Sequence, residues 1–329
     1  MPRWKERKQN MKTESYKIWQ PGEYSYDHAF GFVPNITSYI HEDDVKRPCI
    51  LVVPGGAYCV VAPSEGELVA RKFYEKGYQT FVLTYTVNFL QSVPLKLQPL
   101  KDISRAVRYI RKNAEGFSVI EDELTVCGFS AGGHLCGSLC VHYEDIGDDS
   151  AEYSGISNRP DSAILSYPVI TSGDEAHRGS FVALLGEDAS AEELEYMSLE
   201  KQVTEQTPPC FLWATATDET VPVENSEMYI RACREKGVPC AFHMFTRGKH
   251  GLSLADEDWA NGVHMSPYTE EQLVCVMRKV KSGEVPVPER VRAEWEEMEK
   301  HQKENVRVPE PEVTVWPELA DAFLKNLKK

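Results

Sequence analysis

Gly128-Phe129-Ser130-Ala131-Gly132 is a GxSxG pentapeptide that follows the apolar run LTVC and leads into a helix-compatible stretch. A serine at such a strand-to-helix junction sits on a tight, strained turn. Glycines two residues to either side remove the side chains that would collide with the neighbouring strand and helix. The N–H of Ala131 and the N-terminal dipole of the following helix point at the same place, so an oxyanion forming beside Ser130 would meet a donor there. The plainer reading, a glycine-rich helix N-terminus capped by Ser130, does not require the preceding strand. The chemistry predicted is nucleophilic attack by the Ser130 hydroxyl.

A neutral hydroxyl is a poor nucleophile, so a base must take its proton and a carboxylate must hold that base in one tautomer. Of nine histidines, only His250 lies in a short glycine-flanked loop, Gly248-Lys249-His250-Gly251, directly after the last predicted strand. His134, four residues beyond Ser130 on the same helix, is read as packing or hydrogen-bonding behind the turn, because the base normally arrives from another loop. For the acid, CFLWA runs into Thr215-Ala216-Thr217-Asp218. Asp218 therefore sits at a strand's carboxyl end, where open α/β sheets place their chemistry. Its competitors are Glu219, Glu224 and Asp174. The other half of the oxyanion hole is expected from Gly56 and Ala57 in Pro54-Gly55-Gly56-Ala57-Tyr58, which follows CILVV directly.

Elements able to position these groups are legible between residues 48 and 245. Short β-branched runs, at Cys49 to Val53, Thr80 to Tyr85, Leu124 to Cys127, Ser162 to Tyr167, Cys210 to Ala214 and Cys240 to Phe245, alternate with amphipathic stretches. That alternation predicts crossover units around a mostly parallel sheet, and the near-continuous hydrophobicity of each run implies cover on both faces. Helices are expected over Glu65 to Lys76, Leu100 to Asn113 and Val223 to Lys236, each with a Gly stop or a Pro start. YKIW and ITSYI could add two antiparallel edge strands. Residues 1–15 are expected to form a flexible tail and 16–329 one domain. Within it, 256–312 reads as a helical insertion bracketed by VPVPE and VPEPE, with Val291, Trp295 and Met298 as an apolar stripe. That insertion would be a lid, a dimer contact within a homo-oligomer, or a solvated strut.

The formal charge of −15 repels phosphate backbones and anionic bilayers, so neither nucleic acid nor membrane is an expected partner. No apolar run approaches the roughly 20 residues of a spanning helix, and no secretion signal is apparent. Nine cysteines, several within apolar runs, suit free thiols in a reducing cytoplasm. With neither CxxC nor HExxH present, no metal or other cofactor is expected.

Taken together, VVPGGAY, GFSAGGHL, ATDETVPVENS and GKHGLSLA resemble the α/β-hydrolase superfamily, and within it bacterial esterases of the acetylxylan-esterase and hormone-sensitive-lipase-like type. The resemblance implies an α/β-hydrolase fold with helices on both sheet faces, closed by a helix near Val315 to Leu327. It places the nucleophile on Ser130, the acid on Asp218, the base on His250, and the oxyanion donors on Gly56 or Ala57 with Ala131. Two departures are the PGGA sequence where hormone-sensitive-lipase relatives have HGGG, and the insertion after the histidine loop.

The reaction implied is hydrolysis of a carboxylic ester through an acyl-enzyme, with removal of short acyl, above all acetyl, groups from carbohydrate or oligosaccharide esters. Tyr58, Trp259 and Tyr268 could offer flat faces to a sugar ring, or simply pack. Two other readings are a serine peptidase of the prolyl-oligopeptidase type, whose usual propeller 329 residues cannot hold, and a non-catalytic ligand-binding hydrolase fold, which would typically have lost Ser130 or His250.

Overall fold

The computed structural model describes residues 11–43, 45–302 and 306–328, and the side chain of Met298 lies outside the described residues. Among the described residues, eight strands form one sheet. In chain order they are β1 (Met11–Lys17), β2 (Asn35–His41), β3 (Arg47–Val53), β4 (Gln79–Thr84), β5 (Val119–Phe129), β6 (Ser162–Ser166), β7 (Cys210–Thr215) and β8 (Cys240–Phe245). They lie in the order β1-β2-β4-β3-β5-β6-β7-β8. β1 and β2 pair antiparallel, as do β2 and β4, and every pair from β4 to β8 is parallel. All six predicted core strands are present, and YKIW and ITSYI contribute to the two antiparallel edge strands. One expectation is corrected: residues 11–15 belong to β1, paired along its whole length with β2, because strand pairing satisfies their backbone groups despite mostly exposed side chains. Residues 1–10 of the predicted tail lie outside the described residues.

Ten α-helices are described: α1 (Glu67–Glu75), α2 (Gln98–Lys112), α3 (Ala131–His142), α4 (Arg178–Leu185), α5 (Ala191–Tyr196), α6 (Glu224–Glu235), α7 (Glu257–Ala260), α8 (Glu271–Lys281), α9 (Glu289–Gln302) and α10 (Trp316–Asn326). Local chemistry sets their ends. α2 and α10 carry Pro in their first turn, where the missing N–H costs no bond. The chain leaves α1 and α6 through Gly77 and Gly237, both at positive φ. Each sheet face buries its own apolar cluster. Leu68 and Phe73 of α1 join Trp316 and Leu324 of α10 on one face, while Ile103 of α2, Leu135 of α3 and Tyr229 of α6 lie in the cluster on the other. This two-sided cover explains why the central strands are apolar throughout.

Candidate active site

Ser130 occupies the turn between β5 and α3 with φ 51° and ψ −119°, a backbone state costly for a residue with a Cβ. Crowding explains the flanking glycines. A Cβ on Gly128 would lie 2.3 Å from the Gly132 carbonyl oxygen, and one on Gly132 would lie 2.2 Å from that of Val53. The turn is pinned by Ser130 N–H donating to the Ser166 carbonyl (3.0 Å) at the end of β6. Only 7% of Ser130 is exposed.

His250 and Asp218 converge on this point from 120 and 88 residues away. Imidazole Nε2 lies 2.8 Å from Ser130 Oγ, and Nδ1 lies 2.6 Å from Asp218 Oδ2. An ionised carboxylate only accepts, so Nδ1 carries the proton and Nε2 is left to accept from the serine. The other oxygen, Asp218 Oδ1, accepts from the backbone N–H groups of Thr220 and Val221, each at 2.9 Å. Asp218 is thus buried and held at both oxygens, whereas Glu219, Glu224 and Asp174 are exposed.

Two threonines that the sequence did not single out join the Asp218 loop to the His250 loop. Thr215 and Thr217 both donate through Oγ1 to the Gly248 carbonyl, and Gly248 N–H donates back to Thr217. Gly248 has φ 147°, and a Cβ there would lie 2.6 Å from Leu252, so glycine is required. α10 steadies the far end of the same loop, where Trp316 Nε1 donates to the Ser253 carbonyl at 2.8 Å.

The loop expected to supply the oxyanion donors also carries backbone strain. Gly56, Ala57 and Tyr58 have successive φ values of 120°, 56° and 59°, two of them in residues with a Cβ, at roughly 1–2 kcal/mol each. The N–H groups of Gly56, Ala57 and Ala131 find no acceptor among the described residues. Unpaired donors on a strained loop beside a serine are what a developing negative charge requires.

Of the two readings given to the three aromatic rings, the structure favours packing. Tyr58 is 1% exposed; its hydroxyl donates to His134 Nδ1 at 2.8 Å while His134 Nε2–H donates to the Met197 carbonyl at 3.0 Å. Tyr58 therefore braces the loop from behind and offers no face to a sugar. His134 hydrogen-bonds behind the turn as expected, its pKa pushed down to about 4 by burial. Tyr268 hydrogen-bonds Tyr39 at 2.9 Å and packs with the α1 and α10 cluster. Trp259 borders a cleft of about 1100 Å³ together with His250, yet it is 5% exposed and Arg307 lies over its ring. All three rings are taken up by packing. Polar side chains line much of that cleft, among them Ser64, Lys249, Glu257, Asn261, Arg307 and Glu310.

Comparison with known proteins agrees with this architecture. The BD-FAE family model matches residues 39–232. The chain is 52% identical over 255 residues to an endo-1,4-beta-xylanase B of Butyrivibrio fibrisolvens, which covers 78% of this chain and 40% of that protein. It is 24% identical over 252 residues to an acetylxylan esterase of Xylanibacter ruminicola, covering 71% and 49%. The chain thus spans half or less of the length of these two curated relatives. A crystal structure of an acetyl ester-xyloside bifunctional hydrolase from Caldicellulosiruptor lactoaceticus superposes with a TM-score of 0.70 at 35% identity, covering 83% of this chain and 97% of that one.

Proposed function

The chain belongs to the BD-FAE family of α/β hydrolases, an esterase family on the evidence of its relatives, and from that premise we propose that it removes acetyl groups from carbohydrate esters through an acyl-enzyme on Ser130. The observation that carries this reading is the pair of short hydrogen bonds running from Ser130 Oγ through His250 to Asp218.

In this mechanism Ser130 Oγ attacks the ester carbonyl carbon as its proton passes to His250 Nε2. The carbonyl oxygen becomes an oxyanion held by the N–H of Ala131 and those of Gly56 and Ala57. As the tetrahedral intermediate collapses, His250 gives its proton to the departing alcohol oxygen and leaves the acyl group on Ser130. Water, deprotonated by His250, then attacks the acyl carbon, releases the acid and restores the serine. Since His250 must reach the leaving oxygen, the alcohol half of the substrate lies on the His250 side of Ser130. His250 also borders the cleft described above, whose polar side chains suit a hydroxyl-rich sugar better than a lipid. The names of the xylan-related proteins it resembles support the same substrate class.

Acetate release from acetylated xylo-oligosaccharides, together with rates on p-nitrophenyl acetate, butyrate and octanoate, tests the reading. Acetate esters are expected to be the best of the series, and Ser130→Ala is expected to lower kcat by about 10⁴-fold or more. Activity retained by that variant would remove Ser130 as nucleophile. Preference for octanoate would end the deacetylase reading, and cleavage of aminoacyl-nitroanilides without ester cleavage would point to a peptidase.

A further inference from the structure

Behind the serine lies a carboxylate that the mechanism above does not use. Glu65, 4% exposed, ends the short helical turn that follows the oxyanion loop. Its Oε2 accepts the backbone N–H of Gly55 at 2.7 Å, and its Oε1 accepts the Tyr167 hydroxyl, also at 2.7 Å. The Tyr167 oxygen in turn accepts the backbone N–H of Ser253 at 3.0 Å. One carboxylate and one phenol therefore join Gly55, which precedes the oxyanion donors, to Ser253, which lies three residues beyond His250.

The surroundings are tight. A Cβ on Gly55 would lie 2.9 Å from Ser130 Cβ and 3.0 Å from Glu65 Oε2, so the Glu65 contact fixes how closely the oxyanion loop approaches the serine. On the other side, the Tyr167 ring meets the His250 imidazole edge-on, with centroids 5.0 Å apart. Tyr167 reaches this position with φ 36°, a strained state for a bulky residue. Burial raises the Glu65 carboxyl pKa, so retaining an acid here works against desolvation. Two donors aimed at its two oxygens are the interactions that suit its ionised form.

We propose that Glu65 is a positioning residue that, through Tyr167, holds the oxyanion loop and the histidine loop at a fixed separation on either side of Ser130. The inference rests on the Ser130 acyl-enzyme reading. A displacement of about 1 Å in such a constellation costs on the order of 10²-fold in rate.

The test measures kcat, KM and melting temperature on p-nitrophenyl acetate for wild type, Ser130→Ala, Glu65→Ala, Glu65→Gln, Tyr167→Phe and the Glu65→Ala/Tyr167→Phe pair. Glu65→Ala and Tyr167→Phe should each lower kcat by about 10²-fold with KM within about threefold. Glu65→Gln can accept from Gly55 and donate to Tyr167, so it should recover to within about tenfold of wild type. The double variant should be no slower than the slower single one, since both break the same link. Should Glu65→Ala fail to fold, Tyr167→Phe and Glu65→Gln carry the same test. Single variants within threefold of wild-type kcat, a fully additive double variant, or a loss confined to KM would overturn the proposal. If Ser130→Ala stays active, the nucleophile reading itself fails. If Ser130→Ala is dead while the Glu65 and Tyr167 variants run like wild type, only the positioning role fails.

Discussion

Both oxygens of Asp218 are engaged, one by His250 and the other by two backbone N–H groups, and this division makes a sharp residue-level prediction. In Asp218→Asn the amide oxygen can still serve Thr220 and Val221, which turns the NH₂ toward His250 Nδ1. The imidazole must then accept at Nδ1 and carry its proton on Nε2, facing Ser130, where it cannot take another. We expect kcat on p-nitrophenyl acetate to fall by about 10⁴-fold with the fold intact by circular dichroism. More than a tenth of wild-type activity would show that the carboxylate does not set the tautomer.

At the scale of elements, the insertion grips the rim of the site. From α8, Gln272 accepts from the Val87 N–H at 2.8 Å and donates to the Val87 carbonyl at 2.6 Å, acting as a one-residue strand partner. From α9, Trp295 stacks on Phe89 at 4.8 Å and Glu294 accepts from Gln91 at 2.8 Å. The segment they hold also braces the Gly56, Ala57 and Tyr58 loop, because Asn88 N–H donates to the Tyr58 carbonyl at 2.8 Å. Further on, Val306 to Glu310 border the cleft beside His250. Gln272→Ala leaves two buried backbone groups unpaired, at about 1–3 kcal/mol each. Faster proteolytic cleavage between α8 and α9 is the expected consequence, with kcat on p-nitrophenyl acetate within about threefold of wild type. Unchanged cleavage would mean that the insertion is anchored elsewhere.

For the molecule as a whole, two buried groups give stability opposite slopes with pH. His134 has its pKa pushed down from 6.5 to about 4 by burial. The unfolded chain therefore binds the extra proton, and stability is lost as pH falls from about 6.5 toward 4. Asp102 is pushed up from 3.8 to about 6, again by burial, although Trp19, Thr86 and Gln98 all donate to it. The folded state therefore binds its proton first, and stability is gained as pH falls from about 6 toward 3.8. Each term is worth about 3 kcal/mol, so in the wild type they largely offset. Denaturant titrations from pH 4 to 7 should show Asp102→Asn losing stability on acidification more steeply than wild type, and His134→Gln less steeply. Parallel slopes in all three proteins would refute the assignment. No helix among the described residues is long and apolar enough to cross a membrane.

The strands that carry Ser130, Asp218 and the PGGA loop were legible because parallel strands covered on both faces must be apolar throughout, and GxSxG between strand and helix is a local steric requirement. His250 was legible by elimination, from its glycine-flanked place after the last strand. Aromatic roles were not, since Tyr58 and Tyr268 expose or bury their rings according to partners, His134 and Tyr39, that lie 76 and 229 residues away. Glu65 and Tyr167 carried no signal for the same reason: a carboxylate in PSEGE looks solvated until Gly55 and Tyr167 close over it. Sequence thus determined which residue types stand at strand ends and which turns need glycine, both consequences of short-range sterics and periodicity. Tertiary structure alone decided which distant side chains share a hydrogen bond, because that depends on how loops from different strands pack at one edge of the sheet.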